Sequence, residues 1–414
     1  MREMRFVGLA IAVTLAWAPG VGAQFGQRPA LTPAETLLDA AILRAIDRAG
    51  AEGAAPVRLI EGSDANAGEV LLHCQPDQCD GARLAAGKLQ SLIAANGLAQ
   101  PSRSIRLVET PASGAGDLMD SRPELRQRAK AAIHVGRAAG PMTEVVRAPW
   151  STASIADEVV EILATQHPGG AIHDRAAVRA FEGVGQPRWD VYGIPTTSIL
   201  AADGADGLRH AASVAAASAY VLATLPNAGA EALLSHLTVG AHARLAEDGR
   251  KAVAQMGLQQ RASADVLIMF GQAIEREQRR MRSFERFMPE PVDPMLRSRL
   301  ADMEHGITGV WTSMGITSSP FVPAARRIRG RGGEDLRVVS RTRQGPLPTP
   351  DPPTAMLKFT NLADIVYELG NLIDGQRSIS DIRDILSAEF GSIALPVVVD
   401  YCERLAATGT ITLR

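Results

Sequence analysis

Cys74 and Cys79 lie close together in a chain that holds one other cysteine, Cys402, and they are the first residues whose types and spacing could do chemistry. Oxidised, they close a small loop; reduced, they are two free thiols. A metal pair is the rival reading, but a structural zinc site needs a second Cys or His pair at similar spacing, and none accompanies them. Disulfide or free thiols are therefore preferred. Two charged stretches could also act. The run Arg326-Arg327-Ile328-Arg329-Gly330-Arg331 could meet an anionic surface, yet its Gly- and Pro-rich surroundings read as a solvated linker. Asp265 to Met288, with its Glu-Arg-Glu-Gln-Arg-Arg run, reads as a solvated helix face.

The elements that would position such groups alternate along the first half of the chain. Glu69 to Cys74, Ser104 to Glu109, Ala131 to Val135, Thr143 to Val146 and Thr196 to Leu200 are short apolar runs of strand type. Between them, Gly81 to Ala95, Pro123 to Lys130, Ser154 to Gln166 and Ala211 to Leu225 have helical spacing. Thr32-Pro33-Ala34-Glu35 has capping-box form and opens an earlier helix that carries Leu37, Leu38, Ala41, Ile42 and Ile46. Strands alternating with helices predict an α/β layered domain. From about Ala230 to Gly306 strand signals vanish and long amphipathic stretches predict a helical extension. Residues 320–354 read as a Gly/Pro/Arg-rich linker. Beyond it, Asn361 to Leu372, a helix capped by Ser378-Ile379-Ser380-Asp381 and running to Phe390, a third helix from Pro396 to Ala407, and the strand-like Thr410 to Leu413 form a compact unit.

Composition and the N-terminus bound the setting. The 414 residues exceed what one core usually supports, and 46% hydrophobic content is enough for more than one. A net charge of −2 and 4% aromatic residues give neither bulk attraction to nucleic acid nor stacking platforms. Met1 to Arg5 is a basic head, Phe6 to Ala18 an apolar run, and Val21-Gly22-Ala23 supplies small residues before Gln24. This is the form of a cleavable secretory signal, over residues 1–23, and its apolar run is shorter than the roughly 20 residues of a membrane span. The mature chain is expected to be exported, periplasmic or extracellular, with no membrane span.

The stretch from Glu69 to Leu225 resembles the secreted bacterial leucyl aminopeptidase type of co-catalytic zinc exopeptidases. The resemblance rests on Gly81 to Ala95 followed by Pro101-Ser102-Arg103-Ser104-Ile105-Arg106-Leu107-Val108, on Pro123-Glu124-Leu125, Ala131-Ala132-Ile133-His134, Arg147-Ala148-Pro149-Trp150-Ser151-Thr152, and Tyr192-Gly193-Ile194-Pro195-Thr196-Thr197-Ser198. It implies two zinc ions held by His, Asp and Glu at the strand ends of an α/β sheet, with a further Glu as general base. The metals would polarise a scissile carbonyl and acidify a bridging water.

Matched position by position, most of that set is missing. Leu72 stands at the first His; His73 is the alternative after a one-residue slip, which turns a strand side chain to the opposite face. Asp80 occupies the place of the metal-bridging Asp, where an ordinary helix N-cap explains it equally well. Ala112 stands at a carboxylate position, with Glu109 nearby at the strand end. Gly136-Arg137 stands where an Asp is expected. His210 matches the last His, but the loop that should precede the closing helix is shortened. Asp80 and His210 alone make no two-metal site, so neither zinc nor another cofactor is expected. The resemblance then implies a binding or scaffolding pseudoenzyme for a peptide or protein ligand. The alternative is an active zinc-dependent aminopeptidase with rearranged ligands drawn from His73, Asp80, Glu109, His134 and His210.

The last segment, from Tyr367-Glu368-Leu369 to Ile382, resembles winged-helix modules of the pyrroloquinoline-quinone peptide-chaperone type, which implies peptide binding or domain docking; export argues against DNA binding. The expected fold is α/β: a three-layer zinc-exopeptidase-like sheet with flanking helices over residues 24–229, a helical extension at 230–319, the linker at 320–354, and a small winged-helix-like domain at 355–414.

Overall fold

Short apolar runs separated by helices fold here into one mixed sheet. The computed structural model describes residues 57–111, 114–138, 140–165, 177–179, 189–225, 230–259, 264–288 and 334–414, with isolated positions among 42–46 and 294–302. The secretory signal, the Thr32–Glu35 capping box and the arginine run at 326–331 lie outside the described residues.

Seven described strands lie in the order β1-β3-β2-β4-β7-β5-β6: β1 (Leu59–Ile60), β2 (Glu69–Cys74), β3 (Ser104–Glu109), β4 (Ala129–Arg137), β5 (Glu144–Val146), β6 (Ala177–Arg179) and β7 (Thr196–Ala201). β3, β2, β4 and β7 are parallel, and β1 and β5 run antiparallel at either side of them. Every residue of β2 is buried, as a central parallel strand covered on both faces requires. The helices are α1 (Asp80–Ala94), α2 (Ala115–Ser121), α3 (Pro123–Arg128), α4 (Ile155–Thr165), α5 (Gly204–Thr224), α6 (Ala230–Gln259) and α7 (Ala264–Arg282).

One face of the sheet is aliphatic. Val70, Leu72, Ile105, Ile133, Val135 and Ile199 pack there against α1, α4 and α5. The alanines of α5, Ala211 to Ala219, are fully buried, and their small side chains let the helix lie close to both sheet and α1. Each large side chain so buried, such as Leu72 or Ile133, contributes roughly 1.5–3 kcal/mol. The other face is thinner and more polar: Leu71, Val108 and Ala132 meet Met119, Leu125, Trp189 and Ile194.

The charged run in α7 corrects the expectation of a solvated helix face. Arg276, Glu277 and Arg280 are buried. Arg244 of α6 pairs with Glu158 of α4 at 2.8 Å and with Glu277 at 2.9 Å, and Arg276 reaches Asp248 at 3.0 Å. Arg280 meets Glu277 at 3.2 Å and Asp157 at 3.7 Å. Burial alone would raise the Glu277 carboxyl, but the charges of Arg244, Arg280 and Arg276 hold it well below the usual range. The i, i+3 and i+4 spacing that suggests a solvated face instead points one charged stripe at another, so the helical extension is docked on the sheet's helix α4.

The C-terminal unit comprises α8 (Leu362–Leu372), α9 (Ile379–Phe390) and α10 (Leu395–Ala407), with β9 (Ile411–Leu413) pairing antiparallel with β8 (Val339–Arg341). Ser378 and Asp381 form the capping box of α9, each side chain meeting the other's backbone N–H. β8 falls within the stretch read as a linker, and Val339 is a core residue of this unit. Among the described residues no single helix is long and apolar enough to cross a membrane.

Candidate functional site

Open α/β sheets place ligands at the carboxyl ends of their parallel strands. Here β2 ends at Cys74, which forms a disulfide with Cys79 and clamps the turn into α1. That turn makes Asp80 the first residue of α1 rather than its N-cap, which is Cys79. Asp80 is exposed and stands 3.7 Å from Arg137 at the end of β4. Gln78 fixes the same corner by accepting from the Arg137 backbone N–H at 3.2 Å. Glu109, closing β3, is gripped by the Arg83 guanidinium at 2.9 and 2.7 Å, and this bond holds its carboxyl below the ordinary value.

The remaining expected positions scatter. Leu72 is fully buried in the aliphatic core. Gly136 has a backbone so close to its neighbours that a Cβ would lie 3.0 Å from the Nε2 of His134. Ala112 lies outside the described residues. α5 begins at Gly204, seven residues before the expected start at Ala211, so His210 sits half-buried within the helix. The turn into it is tight: Gly204 takes φ +89°, and a Cβ on Gly207 would fall 2.4 Å from the Ala202 carbonyl oxygen. Among the described residues no three His, Cys, Asp or Glu side chains converge on a metal position. A guanidinium stands beside Asp80 and another beside Glu109, the two carboxylates expected to bind zinc.

His73 and His134 do come together, on the opposite face. Strand register sets them side by side, with Nδ1 to Nδ1 at 2.9 Å. His73 Nε2 lies 3.2 Å from the Thr110 carbonyl oxygen and 3.1 Å from its hydroxyl, and Trp189 meets the His73 ring edge-on at 4.8 Å. A carbonyl can only accept, which assigns the proton to His73 Nε2; its Nδ1 then accepts from His134 Nδ1–H. Burial pushes His134 down to about 4, and burial together with the His134 charge holds His73 well below its ordinary value, so both rings are neutral. At 0% and 2% exposure they act as a polar clamp between strands rather than as a surface base.

A second polar cluster joins the C-terminal unit to the sheet. Buried Asp190 accepts from the hydroxyls of Thr152 at 2.6 Å and Tyr367 at 3.0 Å, and from the Thr196 N–H at 3.3 Å. Burial nonetheless pushes its carboxyl up to about 7. Fully buried Glu368 accepts from the Ser151 N–H at 2.7 Å, the Ser151 hydroxyl at 2.6 Å and the Asn371 amide at 3.2 Å. Glu389 stands beside it, accepting from the Trp150 N–H at 3.4 Å, and burial followed by the neighbouring Glu368 raises it well above the carboxylate range. Arg279 of α7 donates to the Trp150 carbonyl at 2.6 Å, and Arg276 stacks over the Trp150 ring at 4.5 Å. The signal in the sequence is an acid on an apolar helix face, in Val366-Tyr367-Glu368-Leu369. Its partner, Ser151, lies 217 positions away.

Beside this junction is a cavity of about 530 Å³ whose walls include Val191, Leu347, Leu362, Val366 and Leu405, with Arg341 and Tyr401 among its few polar groups.

No protein-family model and no curated protein matches the chain. Among solved structures, one described as a "putative peptidase" from Clostridium acetobutylicum is similar at 13% identity and a TM-score of 0.29. The alignment covers 86% of this chain and 59% of that one, so the chain spans less than two thirds of that protein's length.

Proposed function

We propose that this chain is an exported α/β protein of peptidase-like architecture that binds a partner and does not hydrolyse peptides. The observation that carries the reading is the pairing of Asp80 with Arg137 and of Glu109 with Arg83 at the carboxyl edge of the parallel strands. A two-metal hydrolase needs unpaired carboxylates there to hold dications and a free base to take a proton from water. Each candidate anion here is answered by an arginine, and the two buried histidines are neutral and enclosed.

The sheet is zinc-exopeptidase-like, with α1, α4 and α5 on one face and α2, α3 and the C-terminal unit towards the other. Three helices and a two-stranded ribbon make that unit winged-helix-like, and its docking through Tyr367 and Glu368 favours an interdomain role over nucleic-acid binding. The Cys74–Cys79 disulfide supports an oxidising compartment, in line with the N-terminal export signal. The ligand would be a peptide or protein.

The test is turnover of aminoacyl and peptide substrates by the mature protein, with added zinc and with chelator. No turnover above the buffer rate is expected. Zinc-dependent turnover that chelator abolishes would establish the alternative, an active aminopeptidase with rearranged ligands drawn from His73, Asp80, Glu109, His134 and His210.

A further inference from the structure

The geometry points to the cavity beside α8 as a binding site for a small amphipathic carboxylate, with the apolar body in the cavity and the carboxylate on Arg341. This goes beyond the reading of the sheet edge and does not depend on it.

Arg341 closes β8 and turns its guanidinium into the cavity wall. Nε donates to the Ile373 carbonyl at 3.1 Å, and the two terminal nitrogens donate to the carbonyls of Gly345 and Gly370. These bonds fix the fork in place, but carbonyl dipoles do not cancel its charge. A guanidinium has five N–H donors, so two remain after the three bonds made among the described residues. Burial lowers the Arg341 pKa from its ordinary value. Among the described residues no carboxylate forms an ion pair with it. Asp190 takes the Tyr367 hydroxyl, and Asp120, near Gly345, makes no ion pair with the guanidinium. A partly desolvated cation without a counter-charge is costly, and an anion supplied by a ligand offsets that cost.

The cavity selects the rest of the ligand. Its volume of about 530 Å³ suits a molecule of small-metabolite size. Val191, Leu347, Leu362, Val366 and Leu405 offer aliphatic contact to an apolar body. One guanidinium fork matches one carboxylate, whereas a doubly charged phosphate would bring an unanswered charge into an apolar space.

Calorimetric titration of the full mature chain with octanoate and with octanol tests the proposal. Octanoate is expected to bind at one site, about tenfold or more tighter than octanol, the margin of a charge-assisted pair. Arg341→Gln should remove that preference. Because Arg341 also ties down three carbonyls, a second variant is needed: Ala363 lines the cavity yet is exposed, so Ala363→Trp should fill the mouth, leave the fold intact and weaken octanoate binding by about tenfold or more. Failure of octanoate to bind, equal binding of octanoate and octanol, or full binding by a folded Ala363→Trp variant would overturn the proposal.

Discussion

The hydroxyl of Tyr367 donates a hydrogen bond of 3.0 Å to Asp190, a buried pair separated by 177 positions that ties helix α8 of the C-terminal unit to the turn before β7. Among the described residues Asp190 is held by three donors and no cation, so burial wins and its carboxyl is pushed up to about 7. The junction between the two parts of the molecule is therefore built on buried acids whose carboxyls are raised above their ordinary range.

That gives the junction a pH dependence with a definite sign. Unfolded, an Asp loses its proton near pH 3.9, roughly. Folded Asp190 keeps it, so its stabilisation is complete below that value and is lost as pH rises through about 7. Glu368 and Glu389 are raised as well and act in the same direction. Urea midpoints should fall between about pH 4 and 7, and Asp190→Asn should flatten the fall. Tyr367→Phe should cost about 1–3 kcal/mol at low pH, the price of an unmet buried acceptor. An unchanged midpoint in that variant would contradict the role given to the bond.

The histidine clamp acts in the opposite sense. With the folded value of His134 near 4 and His73 also lowered, both rings contribute stability above the unfolded value of about 6.5 and lose it as pH falls through their folded values. NMR titration should show both imidazoles neutral at pH 6, roughly the point where an exposed histidine is mostly charged. His134→Leu leaves His73 Nδ1 without its partner and should destabilise by about 1–3 kcal/mol.

Breaking the buried ion network should be more damaging. Glu277 is fully buried and receives Arg244, Arg276 and Arg280. Glu277→Gln leaves buried guanidinium charge unanswered and should cost about 3–5 kcal/mol in chemical denaturation. A cost below about 1 kcal/mol would be that of an exposed pair and would contradict the burial of this cluster.

Gly370 near the end of α8 should accept a side chain. A Cβ there would meet only the Arg341 Nη2 and Leu347 Cδ1, both at 3.9 Å, which is ordinary contact. Gly370→Ala should raise stability by about 0.5–1 kcal/mol through lower backbone entropy in the unfolded chain. Differential calorimetry reads the gain directly, and a lowered melting temperature would show a backbone demand that the geometry does not indicate.

Much of the sheet is legible in the sequence because its strands are continuous apolar runs between punctuating residues. Glu69–Cys74 and Ser104–Glu109 fold with the bounds that pattern implies. The Ser378–Asp381 cap is legible for a different reason, since its chemistry is local. What escapes sequence reading is mostly long-range pairing. A charged stripe looks solvated until Glu158 of α4 supplies the partner that buries Arg244 of α6. Trp150-Ser151-Thr152 and Tyr367-Glu368 stand out in the sequence, but nothing local says that they face each other. The strand Val339–Arg341 is hidden in a Gly- and Arg-rich stretch, because its partner, Ile411–Leu413, lies some seventy positions on. At the sheet edge the expected ligands can be checked by residue type, whereas the arginines that stand beside Asp80 and Glu109 require the fold.

If this edge holds ion pairs in place of metal ions, zinc content shows it most directly. Elemental analysis of the mature protein, purified without chelator and dialysed against buffered zinc, should return well under one zinc per chain, roughly the level expected of adventitious surface binding. One or two tightly held zinc ions per chain, lost when Asp80 is changed to Ala, would contradict it.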